Sequence, residues 1–125
     1  PQQLASGVTN LGSIHAVSVE TGATAWRYEQ RAAVGSLVAT GGGLLFAGDA
    51  AGRFRALDQD SGKVLWEINL GSAISGFPIT YAIGNRQYVA VSTGGNLHLG
   101  AFQELAAEPT ASIANTMFVF ALPNP

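Results

Sequence analysis

One segment of this chain is written twice. Ala16-Val17-Ser18-Val19-Glu20-Thr21-Gly22-Ala23-Thr24-Ala25-Trp26 lines up with Ala56-Leu57-Asp58-Gln59-Asp60-Ser61-Gly62-Lys63-Val64-Leu65-Trp66. Each copy opens on alanine, sets a hydroxyl and then a glycine at its sixth and seventh positions, and closes on tryptophan. The copies stand about 40 residues apart, and a unit of that length is one supersecondary piece that buries its apolar faces only against neighbours.

Alternation and turn chemistry place strands around the repeat. Residues 14–19 and 24–28 form a hairpin through Glu20-Thr21-Gly22, where Gly22 is free to take positive φ. Strands at 36–39, 44–47, 54–57 and 64–68 follow, separated by Gly41-Gly42-Gly43, Asp49 to Gly52, and Asp58 to Gly62. Two more run over 77–83 and 87–92. After an irregular stretch from Thr93 to Asn115, a last strand covers 117–122 and stops at Pro123. Helix signal is slight: Phe102 to Ala107 reads equally as one helical turn or as loop.

Four-stranded units at this period are propeller blades. The predicted fold is therefore all-β, about two and a half antiparallel blades of a β-propeller. Residues 1–30 end one blade, 31–70 form a complete blade, and 71–125 form a last blade short of its fourth strand. An open strand edge is a template for pairing. The missing strand is expected from the N-terminal part of the same polypeptide or from another chain.

Composition suits a sector with covered flanks. Apolar residues make up 47% of the chain and charged residues 11%, where an ordinary domain has about 25% charged. The net charge is −2 and no basic patch is present, which argues against a nucleic-acid partner. The absence of cysteine excludes disulfides and thiolate metal sites. No apolar run reaches the ~20 residues of a membrane-spanning helix. No signal peptide is visible, and a chain that opens on Pro1 reads as trimmed from something longer.

The repeated motif has a structural reading. Asp58 and Ser61 make local hydrogen bonds that fix a tight turn. Small Ala56 leaves room beside it. Trp66 is expected to pack between one blade and the next, its indole N–H seeking a backbone carbonyl.

The pattern Ala-x-Asp-x-x-Ser/Thr-Gly-Lys-x-x-Trp resembles the tryptophan-docking motif of the eight-bladed quinoprotein alcohol dehydrogenases. Ala56, Asp58, Gly62 and Trp66 match it fully. Ala16, Gly22 and Trp26 match it with Ser18 in place of the acid and Ala23 in place of the lysine. Leu37 to Asp49 resembles the family's blade-opening segment. Gly76-Phe77-Pro78-Ile79-Thr80-Tyr81 and Gln87 to Gly95 resemble its last blade, and Asn115 to Pro123 its closing strand.

The resemblance implies an enzyme that oxidises alcohols to aldehydes or ketones in the periplasm, by hydride transfer to pyrroloquinoline quinone (PQQ). It implies Ca²⁺ or a lanthanide acting as Lewis acid, and a carboxylate acting as general base. It also implies an electron acceptor such as a cytochrome c or ubiquinone. In the family the metal ligands and the catalytic acid lie in earlier blades, so no catalytic residue and no metal ligand is assigned here. The larger chain carrying those blades is the expected partner, and the segment is not active alone.

Two segments are left as candidate cofactor wall. Thr93-Gly94-Gly95-Asn96 follows a strand of the last blade, and its glycines would let backbone N–H groups approach a carboxylate of the cofactor. The second segment is Val34-Gly35; the resemblance implies that several relatives carry a tryptophan where Val34 stands, beside the quinone. Valine leaves that position a lining role without stacking. His15 and His98 read as strand and loop residues. Arg53, Arg55 and Lys63 read as solvated or blade-surface charges. The alternative function is a propeller scaffold for protein interactions that uses the same repeats without a cofactor.

Overall fold

The computed structural model describes residues 4–94 and 114–123. Among them all regular structure is strand. The strands are β1 (Gly12–Val17), β2 (Thr24–Gln30), β3 (Val34–Ala39), β4 (Leu44–Asp49), β5 (Arg53–Asp58), β6 (Val64–Asn69), β7 (Ile79–Ile83), β8 (Arg86–Thr93) and β9 (Thr116–Ala121). They form three antiparallel sheets in sequence order: β1-β2, β3-β4-β5-β6 and β7-β8-β9. The short segment Phe102 to Ala107 lies outside the described residues.

The repeat is a repeat of geometry. Ala16 pairs with Trp26 and Ala56 with Trp66, each with a register shift just after the alanine. The turns are built alike. Ser18 N–H donates to Ala23 C=O and Gly22 N–H to Ser18 C=O; Asp58 N–H donates to Lys63 C=O and Gly62 N–H to Asp58 C=O. Both glycines sit at φ +70°, a conformation that costs other residues about 1–2 kcal/mol. Asp58 Oδ1 accepts from Ser61 N–H at 2.8 Å and from Ser61 Oγ at 2.6 Å. These bonds, the hydroxyl first, hold the Asp58 carboxyl below the usual aspartate range.

Every expected strand is present with one or both ends moved by one or two residues, and two of the shifts have a plain cause. The first strand ends at Val17, because Ser18 is already the turn's acceptor and Val19 is left fully in solvent. The strand expected from Phe77 begins at Ile79. Pro78, lying between them, has no N–H to give a ladder.

The cores lie between sheets. Ile14, Ala47 and Leu57 close the first seam with Trp26, Tyr28, Val34, Leu45 and Val64. Phe46, Phe54, Ile74, Val89 and Val91 close the second with Phe118 and Phe120. At the first seam a tryptophan docks on the next copy of the motif. Trp26 Nε1–H donates to Gln59 C=O at 2.9 Å. A Cβ added at Gly62 would lie 2.5 Å from the Trp26 ring. Trp66 instead meets Phe54 and Phe120 edge-on, at 6.0 and 5.4 Å between ring centroids. It is 40% exposed and has no carbonyl partner among the described residues.

One face of the third sheet is bare. Ile79, Tyr81 and Ile83 on β7 and Met117 and Val119 on β9 are between 38% and 65% exposed. The register Ile79↔Ala90↔Val119 puts them on the side opposite Val89, Val91, Phe118 and Phe120.

Candidate functional site

Val34 and Gly35 open β3, the strand that starts the four-stranded sheet. Val34 lies opposite Asp49, and a register shift separates it from Ser36. The shift sends Val34 to the first seam. Val34, Gly35, Ser36 and Leu37 line a cleft of about 340 Å³ with Ser13 and Phe77. Phe77 is widely exposed there, whereas the Ser36 hydroxyl is buried with no hydrogen-bond partner among the described residues.

Gly35 is small because the link between the second and third sheets presses on it. A Cβ at Gly35 would stand 2.6 Å from the Ile74 carbonyl oxygen. The same link reaches the second candidate segment. Gly94 N–H donates to Ala73 C=O at 2.8 Å, and a Cβ at Gly94 would meet the Asn115 side chain. Thr93 is buried and its hydroxyl donates to Ala114 C=O at 3.1 Å. Val34-Gly35 and Thr93-Gly94 are thus tied to the adjacent residues Ala73 and Ile74. With the Gly94 amide committed to Ala73, donation to a ligand from this loop would fall to Gly95 and Asn96, which lie outside the described residues. So does His98. His15 is exposed on β1, and the described residues contain no cluster of metal-ligating side chains.

Behind Val34 stands a buried polar hub that sequence reasoning missed. Arg55 is only 4% exposed, not a surface charge as expected, and Asp49 is 1% exposed. Arg55 Nη1 donates to Asp49 Oδ2 and to Gln30 Oε1, both at 2.7 Å, while Nε donates to Glu67 Oε2 at 2.5 Å. Gln30 Nε2 donates to Ala32 C=O at 2.9 Å and to Asp49 Oδ2 at 3.3 Å. The remaining Asp49 oxygen accepts from Ala51 N–H and Arg53 N–H, both at 2.9 Å. The Tyr28 ring covers the guanidinium at 5.9 Å. Burial pulls the Arg55 pKa down, but the hydrogen bond and charge of Asp49, with Tyr28 and Glu67, outweigh it and raise the pKa above its ordinary value. The available signal was alternation: Arg55 shares a strand face with Leu57, which is fully buried.

Comparison with known proteins places this architecture. The glucose/ethanol/alcohol dehydrogenase β-propeller domain, a PQQ family, matches residues 9–89. Subunit 1 of methanol dehydrogenase [cytochrome c] from Methylobacterium organophilum is 39% identical over 106 residues, covering 82% of this chain and 17% of that protein. The quinoprotein ethanol dehydrogenase of Pseudomonas aeruginosa is 35% identical over 86 residues, covering 68% of this chain and 14% of its own length. Among solved structures, a europium-containing methanol dehydrogenase superposes with a TM-score of 0.82 at 32% identity, over 93% of this chain and 24% of that one. The chain therefore spans less than a quarter of the length of each of these proteins.

Proposed function

Because the chain belongs to the glucose/ethanol/alcohol dehydrogenase β-propeller family, we propose that it is a sector of a PQQ-dependent alcohol dehydrogenase. Residues 1–30, 31–70 and 71–125 are read as the end of one blade, a whole blade and a last blade. The observation that carries the reading is that the likeness to a methanol dehydrogenase runs through 93% of the chain, across all three sheets. The bare face of the third sheet supports it, because monomeric proteins rarely leave such a contiguous apolar surface in water. A strand from elsewhere in the protein would complete the last blade along β9. There it would give Trp66 the turn partner that Trp26 already has.

The residues at hand fit the cofactor as one wall of its site. Val34, Leu37 and Phe77 offer an apolar surface to a flat ring system, and the Ser36 hydroxyl is a hydrogen-bonding group in want of a partner. Among the described residues, no charged side chain lines the cleft. The cofactor's carboxylates and its Ca²⁺ or lanthanide would be met by the remaining blades. PQQ, when bound, supplies the hydride acceptor. Val34, Gly35 and the Thr93-Gly94-Gly95-Asn96 loop would exclude water from one side of it and fix its plane. The enzyme would work in the periplasm on an alcohol and pass electrons to an acceptor such as a cytochrome c or ubiquinone.

The test is the intact particle. Purified with its remaining blades, it is expected to show quinone absorbance and to reduce a dye with an alcohol once PQQ and Ca²⁺ or a lanthanide are present. A particle with neither signal would sink the enzyme reading.

A further inference from the structure

We infer that Gln30, Asp49 and Arg55 are positioning residues for the Val34-Gly35 wall, an inference that rests on the quinone-binding reading. Asp49 lies opposite Val34 in register. The next residue, Ala50, donates its N–H to the carbonyl of Ala33, just before Val34, at 2.9 Å. The Asp49 carbonyl accepts the Ile74 N–H at 3.0 Å, and the Ile74 carbonyl is what bears on Gly35. One residue thus sets both sides of the wall. Its carboxylate is in turn held by Ala51, Arg53, Arg55 and Gln30. Gln30 ends β2, so the hub ties the first sheet, the second sheet and the link to the third.

Charge makes the hub stiff. An ion pair this buried cannot slide toward water without losing partners that nothing replaces. A wall carried on a supported strand end holds a ligand at a fixed distance, whereas a bare loop would drift. A purely structural hub would affect stability alone. A positioning hub also sets the affinity of whatever rests on Val34 and Gly35.

The experiment uses the full-length protein that carries this chain, freed of cofactor and titrated with PQQ in Ca²⁺ and, in parallel, La³⁺, following quinone absorbance. Gln30→Ala removes the hub's hydrogen bonds to the first sheet and leaves the Asp49–Arg55 pair. It is expected to weaken PQQ binding on the order of 10-fold and to shift the absorbance of bound quinone. Arg55→Lys keeps the charge but loses the forked geometry. It should weaken binding in the same direction, and it decides the matter if Gln30→Ala does not fold. Glu20→Ala, on an exposed turn outside the hub, should leave binding unchanged. If folded Gln30→Ala or Arg55→Lys bound PQQ within about twofold of the parent with an unaltered spectrum, the positioning role would be overturned. If the parent itself bound no PQQ, the quinone reading would fall, and this inference with it.

Discussion

Gly62→Ala tests the docking geometry, and Gly22→Ala is its internal control. Both glycines sit at φ +70° in turns with the same hydrogen bonds. An added Cβ at Gly22 meets nothing within 4 Å, whereas at Gly62 it falls 2.5, 2.7 and 3.0 Å from three atoms of the Trp26 ring. Gly22→Ala should therefore cost only the backbone strain, about 1–2 kcal/mol. Gly62→Ala carries that strain plus an overpacking cost of about 1–3 kcal/mol. If the ring lifts to escape, the bond from Trp26 Nε1–H to Gln59 C=O goes with it, another ~0.5–1.5 kcal/mol. The difference between the two variants should be about 1–4.5 kcal/mol, the upper part of the range applying if the ring lifts. Amide hydrogen exchange in the assembled protein, read over residues 20–30 and 56–66, gives the local opening free energy of each turn. A double-mutant cycle sharpens the test, because in a Trp26→Ala background the excess at Gly62 should vanish. Equal costs for the two glycines, or an excess that survives without Trp26, would refute the docking argument.

Three further outcomes follow from the seams. Phe54→Ala empties a fully buried site touching Phe46, Trp66 and Phe120, and should cost about 3–5 kcal/mol in urea denaturation of the assembled protein. Arg55→Met strands the Asp49 carboxylate in the first seam. It should cost about 3–5 kcal/mol in the same assay, with part recovered in the double variant with Asp49→Asn. The Asp58 carboxyl is held below its unfolded value, near 3.9. Its stabilisation is therefore fully present above that pH and is lost as pH falls through the lowered folded value. Asp58→Asn should flatten the acid limb of protection in the Asp58–Gly62 turn by lowering its neutral protection toward the parent's acid value, as monitored by hydrogen exchange.

The sheets were legible because two signals agreed at each strand. Period-2 alternation marked the strands, and glycine, aspartate or serine marked the turns between them. Where the signals disagreed, the boundaries slipped. Val19 extends the apolar pattern, but the hydrogen bonds of Ser18 had already turned the chain. The docking role was read at Trp66, whose copy of the motif is complete; Trp66 does pack on Phe120 of the next sheet, but among the described residues the indole–carbonyl bond is seen at Trp26. What decides it is the presence of a turn on the facing sheet, and a residue's own motif carries no record of that. The site was legible only as far as local chemistry reaches. Val34, Gly35 and Thr93-Gly94 were picked out by resemblance. Their common tie to Ala73 and Ile74 is a long-range contact that no spacing encodes. Arg55 was misread because charge was weighed before strand face.

The two seams answer the same geometric problem with opposite chemistry. Arg55 and Phe120 each stand on the third strand of their sheet, immediately before an Ala-Leu pair, Ala56-Leu57 and Ala121-Leu122. Each reaches back to the last strand of the preceding sheet, Arg55 to Gln30 and Phe120 to Trp66. At the first seam that position carries a guanidinium with fixed partners, so the sheets meet in one register only. At the second it carries a ring in an aromatic cluster, which adheres strongly but tolerates small shifts, since dispersion and area have little direction. Rigidity is thus placed beside Val34 and Gly35, and plain adhesion toward the outer strands. Such a division is what a ring needs if its inner strands are to hold a ligand while its blades close by apolar contact. It also explains why glycine recurs where Ile74 crosses: a side chain larger than hydrogen at Gly35 or Gly48 would run into Ile74 and push the link off the hub.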